Sequence, residues 1–256
     1  MKPNIYVIDI ESSPATALFY GSIYEPVIVR VVDTMQILSI AIQKYGEKKI
    51  EYYAQNTVGG YKYGKINDKR LLQVIAEKLK DADFICGHNL DQFDIPVIKE
   101  RTIFHRLPAF PNIPTLDTKK LIKTTSRLPS NKLQHVTEFL GNGGKLEHGG
   151  TDLFIRCMEG DEKAWKLNEK YNKQDVAITM KDLENMLPYV RLTTAQQAFG
   201  DGIKCKNPIC LSLDLKKSKL RKVVGGWKQQ YQCKKCGSYV SANKKQTDSI
   251  LSENMV

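Results

Sequence analysis

Four carboxylates, one phenol and four thiols in this chain have types and spacings that could do chemistry. Asp9 and Glu11 close the run "IYVIDIE". In an extended strand they share a face, with Ile5 and Val7 behind them. Tyr6, Ile8 and Ile10 make the other face, so the strand starts apolar on both sides and reads as a central, buried one. Two like charges about 7 Å apart on such a strand repel unless a cation lies between them or two basic partners arrive from elsewhere. Asp94 follows an apolar strand and His88-Asn89 in "ICGHNLDQFDIPVI". An acid near a helix start favours the macrodipole. Asp91 fits that role better, which leaves Asp94 for another. Asp175 closes "YNKQD", one helical turn after Tyr171. On a helix over 161–187, Ala164, Leu167, Tyr171, Asp175 and Ile178 line one face. The Asp175 carboxylate therefore stands in a partly apolar stripe and needs a cation, as Asp9 and Glu11 do.

The thiols form C-x4-C (Cys205, Cys210) and C-x2-C (Cys233, Cys236), separated by 22 residues. Such paired knuckles read as a four-cysteine site for one structural Zn²⁺. A redox pair or a disulfide framework is the competing reading. Cys86 and Cys157 stand alone in apolar surroundings and read as buried small hydrophobes. Charge divides the chain in the same way. Between Lys204 and Lys245 there are twelve Lys/Arg and one acid, Asp214, while the other 27 basic and 27 acidic residues cancel. All of the formal +11 thus belongs to the cysteine-bearing segment, which points to a polyanionic partner.

The elements that must position these groups alternate between strand and helix. "TMQILSIAIQKYG" and "KKIEYYAQN" read as the second and third strands. "NDKRLLQVIAEKLKDA" is an amphipathic helix with Asn67 or Asp68 as cap. "DFICG" is a short buried strand, a helix runs from about 91 to 104, and "AFPNIPTLDT" holds a proline-bounded strand. "SNKLQHVTEFLG" is a short helix capped by Ser130 or Asn131. "GNGGKLEHGG" is a loop. Helices follow over about 151–158 and 161–187, the second ended by Pro188. An antiparallel meander followed by parallel strands predicts an α/β domain with a mixed sheet flanked by helices. The expected division is a domain over 1–190, a linker over 191–203, a basic zinc ribbon over 204–245 and a tail over 246–256. In the last part "KVVGGWKQQYQC" and "SYVSAN" read as short strands. No apolar run approaches the roughly 20 residues of a membrane span. "MKPNIYVIDI" enters a strand without a signal-peptide pattern. A cytoplasmic protein is expected, with no membrane partner.

"VIDIES", "GHNLDQFD" and "YNKQD" resemble, in order and spacing across 5–190, the three motifs of the DEDD 3′–5′ exonucleases of ribonuclease H-like fold. "DIESSP", "SNKLQHVTEFLG" and "TDLFIRCMEGDEKAWKLNEKYNKQDV" are similar to phage and bacterial members, some of which carry a C-terminal zinc ribbon. The resemblance implies that Asp9, Glu11, Asp94 and Asp175 hold two Mg²⁺ or Mn²⁺ ions and that Tyr171 helps place the attacking water. Members with His in the last motif carry it five residues before the final Asp; that position is Lys170 here, so the chain resembles the Tyr subtype. Ser12 stands where many members have Thr, and the first knuckle, with Pro208 inside it, is C-x4-C where C-x2-C is usual.

The expected activity is therefore metal-dependent 3′–5′ cleavage of DNA, at single strands or 3′ ends, releasing nucleoside 5′-monophosphates. The setting would be a bacterial cell or a phage-infected host. Nucleic-acid contacts are expected from Ser12, His88, Asn89, Phe93 and Lys132 around the acids. In the basic module they are expected from Lys216, Lys217, Arg221, Lys222, Trp227 and Lys228. Trp227 reads equally as a base-stacking ring or as a cover for the zinc core. The alternatives are the same chemistry on RNA, structure-specific cleavage, a silent zinc-ribbon adaptor, and a proofreading subunit of a replication polymerase. His135 reads as helix surface or boundary, and His105 and His148 as exposed imidazoles.

Overall fold

The computed structural model of the chain describes residues 3–22, 24–59, 61–62, 65–144, 149–190, 204–207, 209–223 and 226–242, without the side chains of 222, 223, 226, 227 and 242. The 191–203 linker, His148, Pro208, Lys244, Lys245, the 246–256 tail and the side chains of Lys222 and Trp227 lie outside these residues. Asn4–Asp182 forms one compact unit; Leu183–Val256, with Met1–Pro3, falls into a second.

The first unit begins with β1 (Ile5–Ser12), β2 (Thr16–Tyr20), β3 (Val27–Asp33), β4 (Ile37–Lys44) and β5 (Ile50–Ala54). Then come α1 (Gln55–Val58), α2 (Lys69–Lys78), β6 (Phe84–Gly87), α3 (Asp94–Phe104), β7 (Thr115–Asp117) and α4 (Thr118–Thr125). The chain continues through α5 (Leu133–Phe139), α6 (Thr151–Met158) and the 25-residue α7 (Glu162–Met186). Five strands make the central sheet in the order β5-β4-β1-β6-β7. β4 lies antiparallel to β1 and to β5, while β6 is parallel to β1 and to β7. This is the mixed α/β sheet the alternation of strands and helices predicts, with β1 at its centre.

Both faces of the sheet are covered, for reasons visible in the alternation of side chains. Ile8, Ile10, Ile40 and Ile42 pack against Leu71, Leu72 and Ile75 of α2 and Val97 and Ile98 of α3. Leu38 and Ala54 pack on the other side with Leu153 and Cys157 of α6 and Ala164 and Trp165 of α7. A register shift lets Ser12 face Ile37 and Glu11 face Ser39, so Leu38 is bulged out of the ladder. The bulge lets Leu38 and Ser39 serve the α7 side together.

Several local readings give way to the tertiary structure. The helix expected from 91 begins at Asp94, and Asp91 instead pairs with Lys120 at 2.6 Å. Asp68 makes no cap bond; its buried carboxylate takes the Nε and Nη2 of Arg101 at 2.8 and 3.0 Å, and His105 Nε2 lies at 2.6 Å. His105 is therefore not an exposed imidazole but part of a buried ionic knot joining α2 to α3. The N-cap of α5 is Lys132, not Ser130 or Asn131. The helix α4 was not expected; Asp117 caps it by accepting the N–H groups of Lys119 and Lys120. β2 and β3 were not expected either and form a separate two-stranded ribbon.

In the second unit a 3-10 turn (Leu187–Tyr189) follows α7, with Pro188 in it. β8 (Leu215–Val223), β9 (Gly226–Cys233) and β10 (Tyr239–Ala242) form an antiparallel sheet in the order β10-β9-β8. Tyr231 and Val240, with Leu215 against them, are its small core. β8, made largely of Lys and Arg, was not expected as a strand.

Candidate active site and metal centres

Carboxyl oxygens of Asp9, Glu11 and Asp175 lie within 4.8 Å of one another. β1 delivers the first two on one face and α7 delivers the third across the sheet. Asp175 is buried; Asp9 and Glu11 are half-buried. Three carboxylates this close in a partly desolvated place repel strongly, and the chemistry of the donor set, hard oxygens only, fits a divalent cation such as Mg²⁺ or Mn²⁺.

Asp94 is not one of that group. It opens α3, is 4% exposed, and its Oδ1 accepts the N–H of Ile10 at 3.1 Å, between the two acids of β1. Burial pushes its carboxyl up to about 7, against the pull of the backbone N–H bonds. The loop before it is held from behind. Asp117 accepts the N–H groups of Asn89 and Asp91, both at 3.1 Å. Asn89 has φ 66, a left-handed conformation that Asn tolerates better than most residues. Gly87 leaves no room for a Cβ, which would come within 3.0 Å of the Ile8 carbonyl and of the Leu90 side chain.

Tyr171 is buried beside Asp175 and hydrogen-bonds with it. Burial raises its phenol well above the ordinary range, and the charges of Asp175, Glu11 and Asp9 add to the shift. Beside these carboxylates the hydroxyl is suited to donate a hydrogen bond.

One residue at the site escaped sequence reasoning. Asn172 is fully buried, and its Nδ2 donates to Asp9 Oδ2 at 2.7 Å and to the Asp9 carbonyl at 3.0 Å. Ser39 Oγ lies 3.3 Å from Asn172 Oδ1 and 2.7 Å from Asn168 Oδ1, and the Tyr52 hydroxyl donates to Asn168 Oδ1 at 2.7 Å. A polar seam thus runs from Tyr52 through Asn168 and Ser39 to the carboxylate of Asp9. The available signal was the Asn168-x3-Asn172 spacing on the α7 face that also carries Tyr171 and Asp175.

The other predicted contacts are divided. Phe93 and Lys132 are exposed and Ser12 is half-buried at the end of β1. His88 Nδ1 lies 2.9 Å from Thr118 Oγ1 and its Nε2 2.9 Å from the Asn131 carbonyl. Lys119 Nζ donates to Asn89 Oδ1. Those two side chains are engaged within the protein. His135 is half-buried on α5. A cavity of about 980 Å³ opens just past the end of β1, lined by Pro14, Ala15, Lys62, Lys65 and Met158 among others.

In the second unit the Sγ atoms of Cys205, Cys210, Cys233 and Cys236 also lie within 4.8 Å of one another. Cys205 and Cys236 are 3.3 Å apart, Cys210 and Cys233 3.6 Å, and all are free thiols. Tetrahedral bonds of about 2.3 Å to a central zinc place sulfurs roughly 3.8 Å apart, so the cluster has the size a zinc ion needs and a disulfide does not. Burial opposes ionisation of Cys236, but bonds from Ser238 and from the Cys205 and Cys210 thiols bring it down to about 7. Lys216, Lys217 and Arg221 are exposed on β8, and Arg221 stands directly opposite Lys228 on β9.

A five-stranded sheet of order β5-β4-β1-β6-β7, with acids on its central strand and on the helix crossing it, defines a ribonuclease H-like α/β protein. Residues 32–187 match the model of the RNase_H superfamily, and the chain belongs to that superfamily. The matched segment includes Asp94, Tyr171 and Asp175; β1 precedes it. Among solved structures, the family B DNA polymerase from the hyperthermophilic archaeon Pyrobaculum calidifontis matches with a TM-score of 0.54 and 16% identity, over 73% of this chain and 25% of the polymerase chain. At that identity the likeness is one of fold. A search of curated protein sequences finds no match. Among the described residues no helix is long and apolar enough to cross a membrane.

Proposed function

We propose that this protein is a metal-dependent 3′–5′ exonuclease that acts on DNA and releases nucleoside 5′-monophosphates. The observation that carries the reading is the convergence of Asp9, Glu11 and Asp175 within 4.8 Å on a ribonuclease H-like sheet. The direction and the exonucleolytic character rest on the resemblance of the three motifs. Asp9, Glu11, Asp94 and Asp175 would hold two divalent cations. When bound, these would activate water and stabilise the leaving oxygen. The protein's own groups do the rest. Tyr171 would orient the attacking water from beside Asp175. Asn172 fixes the carboxylate of Asp9. Attack at phosphorus breaks the P–O3′ bond, so the shortened strand keeps its 3′-hydroxyl and the phosphate leaves on the released nucleotide.

Cys205, Cys210, Cys233 and Cys236 would hold one structural zinc, and the module around them would grip the phosphate backbone. Arg221 opposite Lys228 supports this, because like charges facing across a ladder are unfavourable without an anion to share. The test offers the full-length protein, with Mg²⁺ or Mn²⁺, 5′-labelled single-stranded DNA, duplex DNA and RNA. A ladder shortening from the 3′ end of DNA is expected. Internal cuts would replace the reading with structure-specific cleavage, degradation of RNA alone would change the substrate, and binding without cleavage would leave an adaptor.

A further inference from the structure

A second concentration of positive charge lies inside the first unit. Residues 118–137 hold Lys119, Lys120, Lys123, Arg127 and Lys132 and no acid. Outside 204–245 the chain is neutral; without this stretch it would keep 22 basic residues against 27 acidic ones. Lys123 follows Lys119 and Lys120 on α4 at i+4 and i+3, the spacings at which like charges repel. Two of the five cations are held within the protein: Lys120 pairs with Asp91, and Lys119 Nζ donates to Asn89 Oδ1 at 3.0 Å. Lys123, Arg127 and Lys132 are exposed, and among the described residues none of the three enters an ion pair.

Sheet register fixes where this stretch begins. Val7 lies opposite Cys86 and Cys86 opposite Leu116, in strands that all run the same way. Asp9 is two residues beyond Val7, and Thr118, the first residue of α4, is two beyond Leu116. The basic stretch therefore starts level with Asp9, two strands across, at about 10 Å. It is also fastened to the loop that leads to Asp94. Thr118 Oγ1 lies 2.9 Å from His88 Nδ1 and donates to the Gly87 carbonyl at 3.3 Å. Asp117 takes the N–H groups of Asn89 and Asp91, and His88 Nε2 lies 2.9 Å from the carbonyl of Asn131, just before Lys132. The loop is thus tied to both ends of the segment that carries Lys123 and Arg127.

We propose that Lys123, Arg127 and Lys132 form a surface that grips the phosphates of the nucleic-acid strand whose 3′ end lies at the acids. The proposal rests on the nuclease reading and adds the course of the substrate, over α4 and the start of α5. The carboxylates of β1 and α7 repel an incoming polyanion. Cations about 10 Å away lie within about one Debye length at 0.1 M salt and offset that repulsion. A stacked strand carries one phosphate per about 3.4 Å, so the grip begins at roughly the third phosphate from the acids. Exposed Lys and Arg side chains hold phosphates without reading bases, which suits an enzyme that shortens a strand through any sequence. Placement selects a strand over an acidic protein surface, which has no need of cations level with Asp9.

Binding of a long, fluorescently labelled single-stranded DNA to the full-length, zinc-loaded protein across a salt series tests the surface. No Mg²⁺ or Mn²⁺ is added, so affinity is read without cleavage. Changing Lys123, Arg127 and Lys132 together to Gln should make the dependence of log affinity on log salt shallower by about 2.1, with circular dichroism and zinc content unchanged. The charge-keeping set Lys123→Arg, Arg127→Lys and Lys132→Arg should retain the wild-type slope. Lys48, Lys49 and Lys80 are exposed at the end of the sheet where β1 begins; changing them together to Gln should leave the slope as it is. A triple-Gln slope within about 0.5 of wild type, as expected if an acidic protein is the partner, overturns the proposal. So does an equal flattening by the distant set or by the charge-keeping set. The nuclease reading stands or falls separately: a protein that shows the slope change yet never cleaves DNA keeps this surface and loses that reading, and one that cleaves with an unchanged slope does the reverse.

Discussion

Replacing Asn172 by Ala removes the amide that donates to Asp9 Oδ2 at 2.7 Å and to the Asp9 carbonyl at 3.0 Å. A hydrogen bond to a charged acceptor contributes about 1.5–3 kcal/mol, a factor of roughly ten to 150. That range agrees with the ten- to hundredfold loss of metal affinity or activity usual when a group orienting a ligand is lost. Ser39 keeps its 2.7 Å partner Asn168, so the substitution does not strand its hydroxyl. We therefore expect the Mn²⁺ concentration for half-maximal cleavage of labelled single-stranded DNA to rise by about ten- to a hundredfold. The rate at saturating Mn²⁺ should recover to within about fivefold of wild type. Calorimetric titration of Mn²⁺ into the protein reads the same affinity without reference to cleavage. An Asn172→Ala protein that melts cooperatively, yet binds Mn²⁺ within about twofold of wild type, would refute the claim that this amide sets the position of Asp9.

Asp9→Ala and Asp175→Ala should each reduce cleavage by at least about a thousandfold with DNA binding largely kept, whereas Tyr171→Phe should cost about ten- to a hundredfold; rates at saturating Mn²⁺ check both, and a carboxylate variant within tenfold of wild type contradicts the site. Changing Lys216, Lys217 and Arg221 together to Gln should make the dependence of log affinity on log salt for duplex DNA shallower by about 2.7, read from a salt series; an unchanged slope means that β8 does not touch the backbone. Cys233→Ser should release the zinc and melt the three-stranded sheet, which has little core beyond Tyr231 and Val240; zinc retained at one ion per chain would show that another ligand set holds it. Asp68→Ala leaves Arg101, 2% exposed, as an unpaired buried charge and should cost about 3–5 kcal/mol of stability; a thermal-melt loss below about 1 kcal/mol would contradict that burial cost.

Much of the site could be read from the order of residues. Asp9 and Glu11 share a face because side chains alternate on any strand, and Tyr171 and Asp175 share one because a helix turns every 3.6 residues. The cysteine spacing and the concentration of charge in 204–245 likewise need no coordinates. What spacing alone left open was the partner of each group. Asn172 meets Asp9 across 163 residues and Ser39 meets Asn168 across 129. Those meetings depend on the bulge at Leu38 and on where α7 lies over the sheet. Asp68 read as a helix cap because Asp is a good one; the Arg101 guanidinium, 33 residues on, takes its carboxylate instead. Spacing likewise left open that one carboxylate oxygen of Asp94 accepts the Ile10 N–H, 84 residues away. The ribbon went unseen because its strands pair with each other and show no buried face, so its apolar residues lack the alternation that marks a strand covered on one side. Alternation and turn period are properties of neighbours along the chain. Register, bulges and the competition for a buried carboxylate are settled only when distant segments have packed, because desolvation then decides which partner each charge must find.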